Sequence, residues 1–493
     1  MRRLVFAVSF CFVWLISQAG SAYGASWYVD NAAAGAGTGR SWTDAWTSFA
    51  NVRWGSAGVT AGDTLYISGG SSGKTYTQSL NVGAGGQAGN LLNIRVGQDA
   101  GHNGNVVFSN ASINCSDYQY LHISGQYQSS TNLYFNGITS GTEYTTAIGG
   151  SGGGHLVEYV IVNNTMSGIA FGNSLTVATT IRNCAIYGVY GKRGISLRGE
   201  TSLSQWDKYV IQNCYVQGIS SGAAGPDLIH INAGATVASN YFTYLAGTPK
   251  TDEHPDMIQA MGPKYVKVCN NIFDSPTDSC VDVDFWFGGS DRTLLNFYVY
   301  NNVVKSTKGS SKGWQGFRIY NSSGGIDRIQ GLKIFNNTMT DLDNRTIGVF
   351  YTGGATVVSD CEIKNNILAN TTGISIEAST GYTAADWNVD YNVIAAGASG
   401  SSSLVVDGAP YAQAHGSRTM PAFASYTPNA PGNDLRLSQS DVVARSAGAN
   451  LSGYTQTDIL GTVRSPSAAW DIGAYSSSPS ALHPPTQLMI VNQ

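Results

Sequence analysis

The stretch "KVCNNIFDS", residues 267–275, decides how this chain is read. It sets an Asn pair between short apolar flanks. The same figure returns as "YVYNNVVKS" (298–306), "KIFNNTMTD" (333–341) and "EIKNNILAN" (362–370). Looser copies are "VIVNNTMSG" (160–168), "TIRNCAIYG" (180–188), "VIQNCYVQG" (210–218), "VASNYFTYL" (237–245) and "NVDYNVIAA" (388–396). The second member of each pair marks a column: Asn164, Cys184, Cys214, Tyr241, Asn271, Asn302, Asn337, Asn366 and Asn392. From Cys184 onward the steps are 30, 27, 30, 31, 35, 29 and 26 residues. A steady mean with variable increments is the mark of a solenoid whose coils differ in their loops.

A second column follows the pairs: "GISLRG", "DLIHINAG", "DMIQAMG", "CVDVDFW", "GFRIYNS", "IGVFYTG" and "GISIEAS". Each alternates with period two, as a strand does. The apolar positions are Ile195 and Leu197, Ile229 and Ile231, Ile258 and Ala260, Val281 and Val283, Phe317 and Ile319, Ile347 and Val349, Ile374 and Ile376. Coils of about 30 residues carrying two or three short strands predict a parallel β-helix with strands stacked about 4.8 Å apart. An inward Asn at each turn predicts an amide ladder between coils. Cys184 and Cys214 in the same column are read as small buried filler, with a disulfide between stacked coils as the alternative.

Composition agrees with an all-β chain. Among 493 residues there are 60 Gly, and only 12% are charged. The start "MRRLVFAVSFCFVWLISQAGSAYGA" joins two arginines, an apolar run from Leu4 to Ile16 and small residues, which predicts a signal peptide over 1–25. No later run is long enough to span a membrane. Without Arg2 and Arg3 the net charge moves from −4 to about −6, a poor balance for general nucleic-acid binding. Six cysteines remain beyond that segment, with no CxxC pair to suggest zinc.

The opening "ASWYVDNAAAGAGTGRSWTDAWTSFANV … AGDTLYISGG" and the close "NDLRLSQSDVVARSAGANLSGYTQTDILGTVRSPSAAWDIGAY" resemble those of secreted bacterial proteins of the pectate-lyase-like superfamily. The resemblance implies a single-stranded right-handed parallel β-helix. It divides the chain into an N-terminal cap and first coils (26–110), the β-helix with its substrate face (111–400) and an irregular closing segment (401–493). A short cap helix is expected before the first strand.

Alternation then sorts the polar residues. One outward row reads Ser196, His230, Gln259, Asp282, Arg318, Gly348 and Ser375; the next holds Arg198, Asn232, Met261, Asp284, Tyr320, Phe350 and Glu377. Asp227 and Asp256 align at the start of their strands, with His254 on the turn before and Arg193 at the N-terminal end. This explains the crowded "DEHPDMIQAMG" (252–262). Stacked carboxylates repel, and they persist where a cation sits among them or one acid stays protonated.

Asp256, Asp282, Asp284, Arg318, His230 and His254 are the candidate catalytic residues. Arg193, Arg198, Gln259, Trp286 and Tyr320 are the candidate substrate contacts. Asp227, Asp256, Asp282 and Asp284 are expected as ligands for Ca2+, which prefers oxygen. The resemblance implies a lyase cleaving a uronate-containing polysaccharide by β-elimination, with Arg318 or Arg198 as base or carboxylate clamp and His230 or His254 as alternatives. No Lys stands outward in the aligned strands, unlike the Lys-base lyases. An inverting hydrolase of polygalacturonase type is the second reading: Asp256, the pair Asp282 and Asp284, then "FRIY" follow a similar order. The Gly-His-Gly turn of those enzymes is missing, and Tyr320 stands in their Lys place. A non-catalytic carbohydrate-binding or surface β-helix protein is the third. In each reading the protein is an exported monomer whose partner is a polysaccharide, with no nucleic acid and no membrane.

Overall fold

The structure is a computed structural model. It describes residues 24–139, 146–175, 177–199, 205–221, 224–232, 234–250, 254–284, 292–305, 315–320, 325–350, 356–397 and 402–477. The expected signal peptide lies almost wholly outside them. Among the described residues no helix is long and apolar enough to cross a membrane.

Successive strands visit three sheets in turn. Lys264–Cys269 joins a 14-stranded sheet, Ile272–Asp274 a 12-stranded sheet and Ser279–Asp284 a 13-stranded sheet. The next coil repeats this with Thr293–Tyr300, Val303–Lys305 and Gln315–Ile319. Pairing between coils is parallel. The inward rows stack as the alternation requires. Ile229 pairs with Ile258, Ile258 with Val281, Val281 with Phe317, and Phe317 with Ile347. All are buried in one core that runs the length of the solenoid.

The turn between the 14- and 12-stranded sheets gives the Asn pair two separate jobs. The first member takes the left-handed conformation: φ is +57° at Asn270, +54° at Asn301, +54° at Asn336 and +56° at Asn365. Asn tolerates this region better than most residues because its short amide can bond locally. The second member turns inward. Asn271 Nδ2 donates to Asn302 Oδ1 at 3.0 Å, Asn302 Nδ2 to Asn337 Oδ1 at 3.0 Å, and Asn337 Nδ2 to Asn366 Oδ1 at 2.9 Å. Asn366 continues to Asn392, and Gln413 from the closing segment accepts from Asn392 at the end of the row.

Two column assignments need correction. In "VASNYFTYL" the inward residue is Asn240, which donates to Asn271 Oδ1, and Ser239 takes the left-handed turn at φ +58°. Tyr241 lies one position further on and stacks against Tyr215. Asn164 is exposed and itself left-handed at φ +47°; the turn equivalent to the others in that coil is Tyr159, with φ +56°, followed by buried Val160. Cys184 and Cys214 are buried free thiols, and the other four described cysteines are also free and buried.

The N-terminal cap helix is absent among the described residues. The first strand, Ser26–Val29, pairs directly with Thr64–Ile67. Between them lie only two one-turn 3-10 segments, Phe49–Asn51 and Gly55–Ala57. Short Gly-rich sequence cannot meet the cost of nucleating an α-helix. The end of the barrel is covered instead by side chains: Trp27 stacks on Trp46, and Phe49 stacks on Tyr76 and Phe108. At the other end the closing segment packs Leu451 and Trp470 against Phe335, and Ala444 and Ile472 against Ile367 and Val393.

Candidate active site

The polar row on the 13-stranded sheet follows the expected register: Ser196 pairs with His230, His230 with Gln259, Gln259 with Asp282, and Asp282 with Arg318. These side chains point away from the core, yet the face is not solvated. Asp282 is 0% exposed, His230 1% and Gln259 8%. Outward here therefore means away from the core and not exposed to solvent. A buried polar row is costly unless each group is partnered or put to use, so a merely solvated face does not account for it.

Asp282 has a full partner. Arg318 Nε donates to its Oδ1 at 2.8 Å and Nη2 to its Oδ2 at 2.7 Å, the bidentate geometry of a strong charge-assisted pair. Burial works against the charged guanidinium, but the Asp282 pair outweighs it and holds Arg318 above its ordinary value. A guanidinium so held is no base. Its Cζ also lies 5.1 Å from the centre of the Tyr320 ring.

One coil earlier, His254 Nδ1 and Asp256 Oδ2 are 2.6 Å apart. Burial, then Asp282, push the Asp256 carboxyl up to about 7, against the lowering effect of His254. The bond from Asp256 in turn raises His254 to about 10. Asp256 Oδ1 is buried with no hydrogen-bond partner. Tyr244, fully buried in a strand of the 12-stranded sheet, donates its hydroxyl to the carbonyls of Pro226 and Asp256, each at 2.8 Å. It thereby fixes the starts of the strands bearing Asp227 and Asp256.

His230 differs from the other histidine. Burial, then Arg193 and Arg198, lower it well below the usual imidazole value, and its Nδ1 is buried without a partner. Arg198 is itself lowered by burial and by Arg193. Both arginines are half-buried. His230 is thus a neutral imidazole at physiological pH, held beside two cations.

The structure gathers Arg193, Arg198, Asp227, His230, His254, Asp256, Gln259, Asp282, Asp284, Arg318 and Tyr320 on neighbouring coils of one sheet. Trp286 lies outside the described residues. Phe350 does not offer a stacking face: it is buried, its ring lies against Gly348, and Arg345 packs on it at 4.2 Å. A Cβ at Gly348 would fall 2.0 Å from the Phe350 ring, so this position of the row carries no side chain. Two members of the site escaped the sequence reading. Asp278, just before its strand, accepts from Gln315 at 3.1 Å and adds its charge to those acting on Asp256 and Arg318. Tyr244 reaches the site from another sheet, a contact that no period reveals.

The expected calcium quartet does not converge. Among the described residues the three groups that come together are Asp227, His254 and Asp256, each with a ligand atom within 4.8 Å of the others. Asp282 gives both oxygens to Arg318, and Asp284 is outside the group. Two carboxylates and an imidazole fit poorly an ion that takes six to eight oxygens.

Three sheets of parallel strands wound coil upon coil settle the architecture. The chain is a parallel β-helix. No protein-family model matches this β-helix, and no curated protein matches it. Among solved structures it is similar to pectate lyase Pel9A, at 13% identity over 93% of this chain and 97% of that one, with a TM-score of 0.43. It is also similar to a family PL6 polysaccharide lyase from Pseudopedobacter saltans, at 12% identity over 84% and 95%, TM-score 0.44. A rhamnogalacturonan lyase matches at 13% over 75% and 87%, TM-score 0.39. These likenesses concern shape and assign no residue a role.

Proposed function

We propose that this β-helix is an exported, monomeric polysaccharide lyase that cleaves a uronate-containing polymer by β-elimination on the outer side of its 13-stranded sheet. The observation that carries this reading is the buried His230, its Nδ1 without a partner, on the strand next to the one that bears Arg193 and Arg198, where burial and both cations push its pKa down. β-Elimination needs a cation on the uronate carboxylate, a base for the C5 proton and a proton for the departing oxygen. Arg193 and Arg198 supply the positive charge. His230 is the base, and its Nδ1, buried in the free protein, has to be uncovered as the polymer binds.

Binding also tunes the base. In the free protein the two arginines lower His230. A uronate carboxylate between them cancels that field, so the imidazole gains basicity when substrate arrives. His230 Nδ1 then takes the C5 proton, the C5–H electrons form the C4=C5 bond, and the C4–O bond breaks. The leaving oxygen receives the proton back from His230, so one group serves both transfers on one face of the sugar. The Asp282–Arg318 pair braces the next coils and takes no proton in this scheme. Hydrolysis needs a carboxylic acid and a carboxylate base, and the bidentate bond to Arg318 takes Asp282 out of either role.

The test is a panel of acidic and neutral polysaccharides read in parallel for near-ultraviolet absorbance and for reducing ends. Elimination gives both signals in step on a uronate polymer. Reducing ends without absorbance mean hydrolysis, and binding without either means a sugar-binding module; each outcome would overturn the proposal.

A further inference from the structure

The elimination scheme leaves Asp227, His254 and Asp256 without a task, although these are among the most closely gathered ionisable groups in the described structure. Their ligand atoms lie within 4.8 Å of one another. Asp256 is 0% exposed, and its Oδ1 is buried with no hydrogen-bond partner, an expensive state for a carboxylate unless something is to be bound there. The scaffold around it is rigid. Tyr244 ties the backbone on both sides of the group, at the carbonyls of Pro226 and Asp256. Access is open on one side, since the His254 side chain is 46% exposed.

We infer that Asp227, His254 and Asp256 form a binding site for a divalent transition cation of the Zn2+ and Co2+ class, in preference to Ca2+. The donor chemistry decides the class. Imidazole nitrogen is a favoured ligand of first-row transition ions, whereas Ca2+ and Mg2+ select oxygen. Metal binding releases to solvent the proton held between His254 and Asp256; one nitrogen and two carboxylate oxygens then leave further positions for water, as in open metal sites. Arg193, the register neighbour of Asp227, and Arg318, paired with Asp282, flank the group and limit its net negative charge. A small, strongly bonding ion suits such a site better than one that relies on many acidic oxygens. The site shares the sheet face of the elimination proposal but does not depend on it.

The test uses the purified protein without a polyhistidine tag, stripped with a chelator and measured with no polysaccharide present. Co2+, a spectroscopic stand-in for Zn2+, is titrated by visible absorption, and Zn2+ and Ca2+ by calorimetry. One equivalent of Co2+ or Zn2+ should bind, and Ca2+ should bind at least tenfold more weakly. His254→Gln and Asp256→Asn should each weaken uptake by a hundredfold or more. His415→Gln is the control, because His415 forms a similar pair with Asp390 at 2.7 Å elsewhere in the chain; it should bind like the wild type. Near-ultraviolet circular dichroism checks each fold. Should Asp256→Asn fail to fold, His254→Gln decides, since its side chain is half exposed. No saturable uptake by the wild type, unchanged uptake in His254→Gln, or tighter binding of Ca2+ than of Co2+ would overturn the inference. Loss of lyase activity alone bears only on the elimination proposal.

Discussion

His230 and His254 sit on adjacent coils and are driven in opposite directions. Asp256 raises His254 to about 10, while burial and two arginines depress His230. The depression has a kinetic consequence. The acid limb of a kcat/KM profile reports the free enzyme, and that of kcat reports the substrate complex. For His230 as base, the kcat/KM limb should fall below pH 6.5, because the neutral form persists there. The kcat limb should lie higher, because bound uronate neutralises Arg193 and Arg198. Coincident limbs, or a kcat/KM limb above 6.5, would remove His230 from the role. The sequence already placed His230, Arg193 and Arg198 on one face. It did not indicate which imidazole is neutral, because that depends on burial and on charges brought in from neighbouring coils. Asp278 was passed over because it lies two residues before the run "CVDVDFW", outside the stretch in which the alternation was read.

At the scale of one coil, the Asn pair shows how much a short motif can specify. The two residues are chemically identical and structurally unlike. Asn270 supplies a left-handed turn, while Asn271 donates to Val237 O and Asn302 Oδ1 and accepts from both the backbone and the side chain of Asn240. Asn270→Gly keeps the turn, since Gly enters that region freely, and should change stability by no more than about 0.5 kcal/mol. Asn271→Ala strands buried donors and acceptors in two coils and should cost about 3 kcal/mol. Urea unfolding of the two variants checks this. Equal effects would mean that the inward amide row carries no special weight. The register of the second column was legible from alternation alone, from Ile229 through Ile374, because a slip of one residue would have turned every apolar side chain outward. The first column was misread in two coils: in "VIVNNTMSG" the Asn pair lies beyond the turn, which falls at Tyr159. In "VASNYFTYL" Ser239 takes the left-handed turn, and nothing in the spelling marks a Ser for that conformation.

Across the whole molecule, the steady spacing of the pairs foretold the solenoid, and both of its ends were harder to foresee. The N-terminal end is covered by stacked aromatic rings from distant positions, Trp27 on Trp46 and Phe49 on Phe108, and not by a helix. The C-terminal end is held by a segment without period that sends Gln413 to finish the inward amide row and Trp470 to pack beside Phe335. Such contacts join residues far apart in sequence, which local patterns do not encode. Between these ends the coils bring two arginines, an imidazole with a lowered pKa and an acid-rich stretch onto one largely buried face, the face proposed above to act on a uronate carboxylate. The most direct test is to compare a uronate polymer that the protein degrades with the same polymer after chemical reduction of its carboxyl groups. Near-ultraviolet absorbance should rise on the native polymer. The reduced one should yield neither absorbance nor reducing ends, because nothing remains to acidify C5 or to engage Arg193 and Arg198. Cleavage of the reduced polymer at a comparable rate would contradict the account.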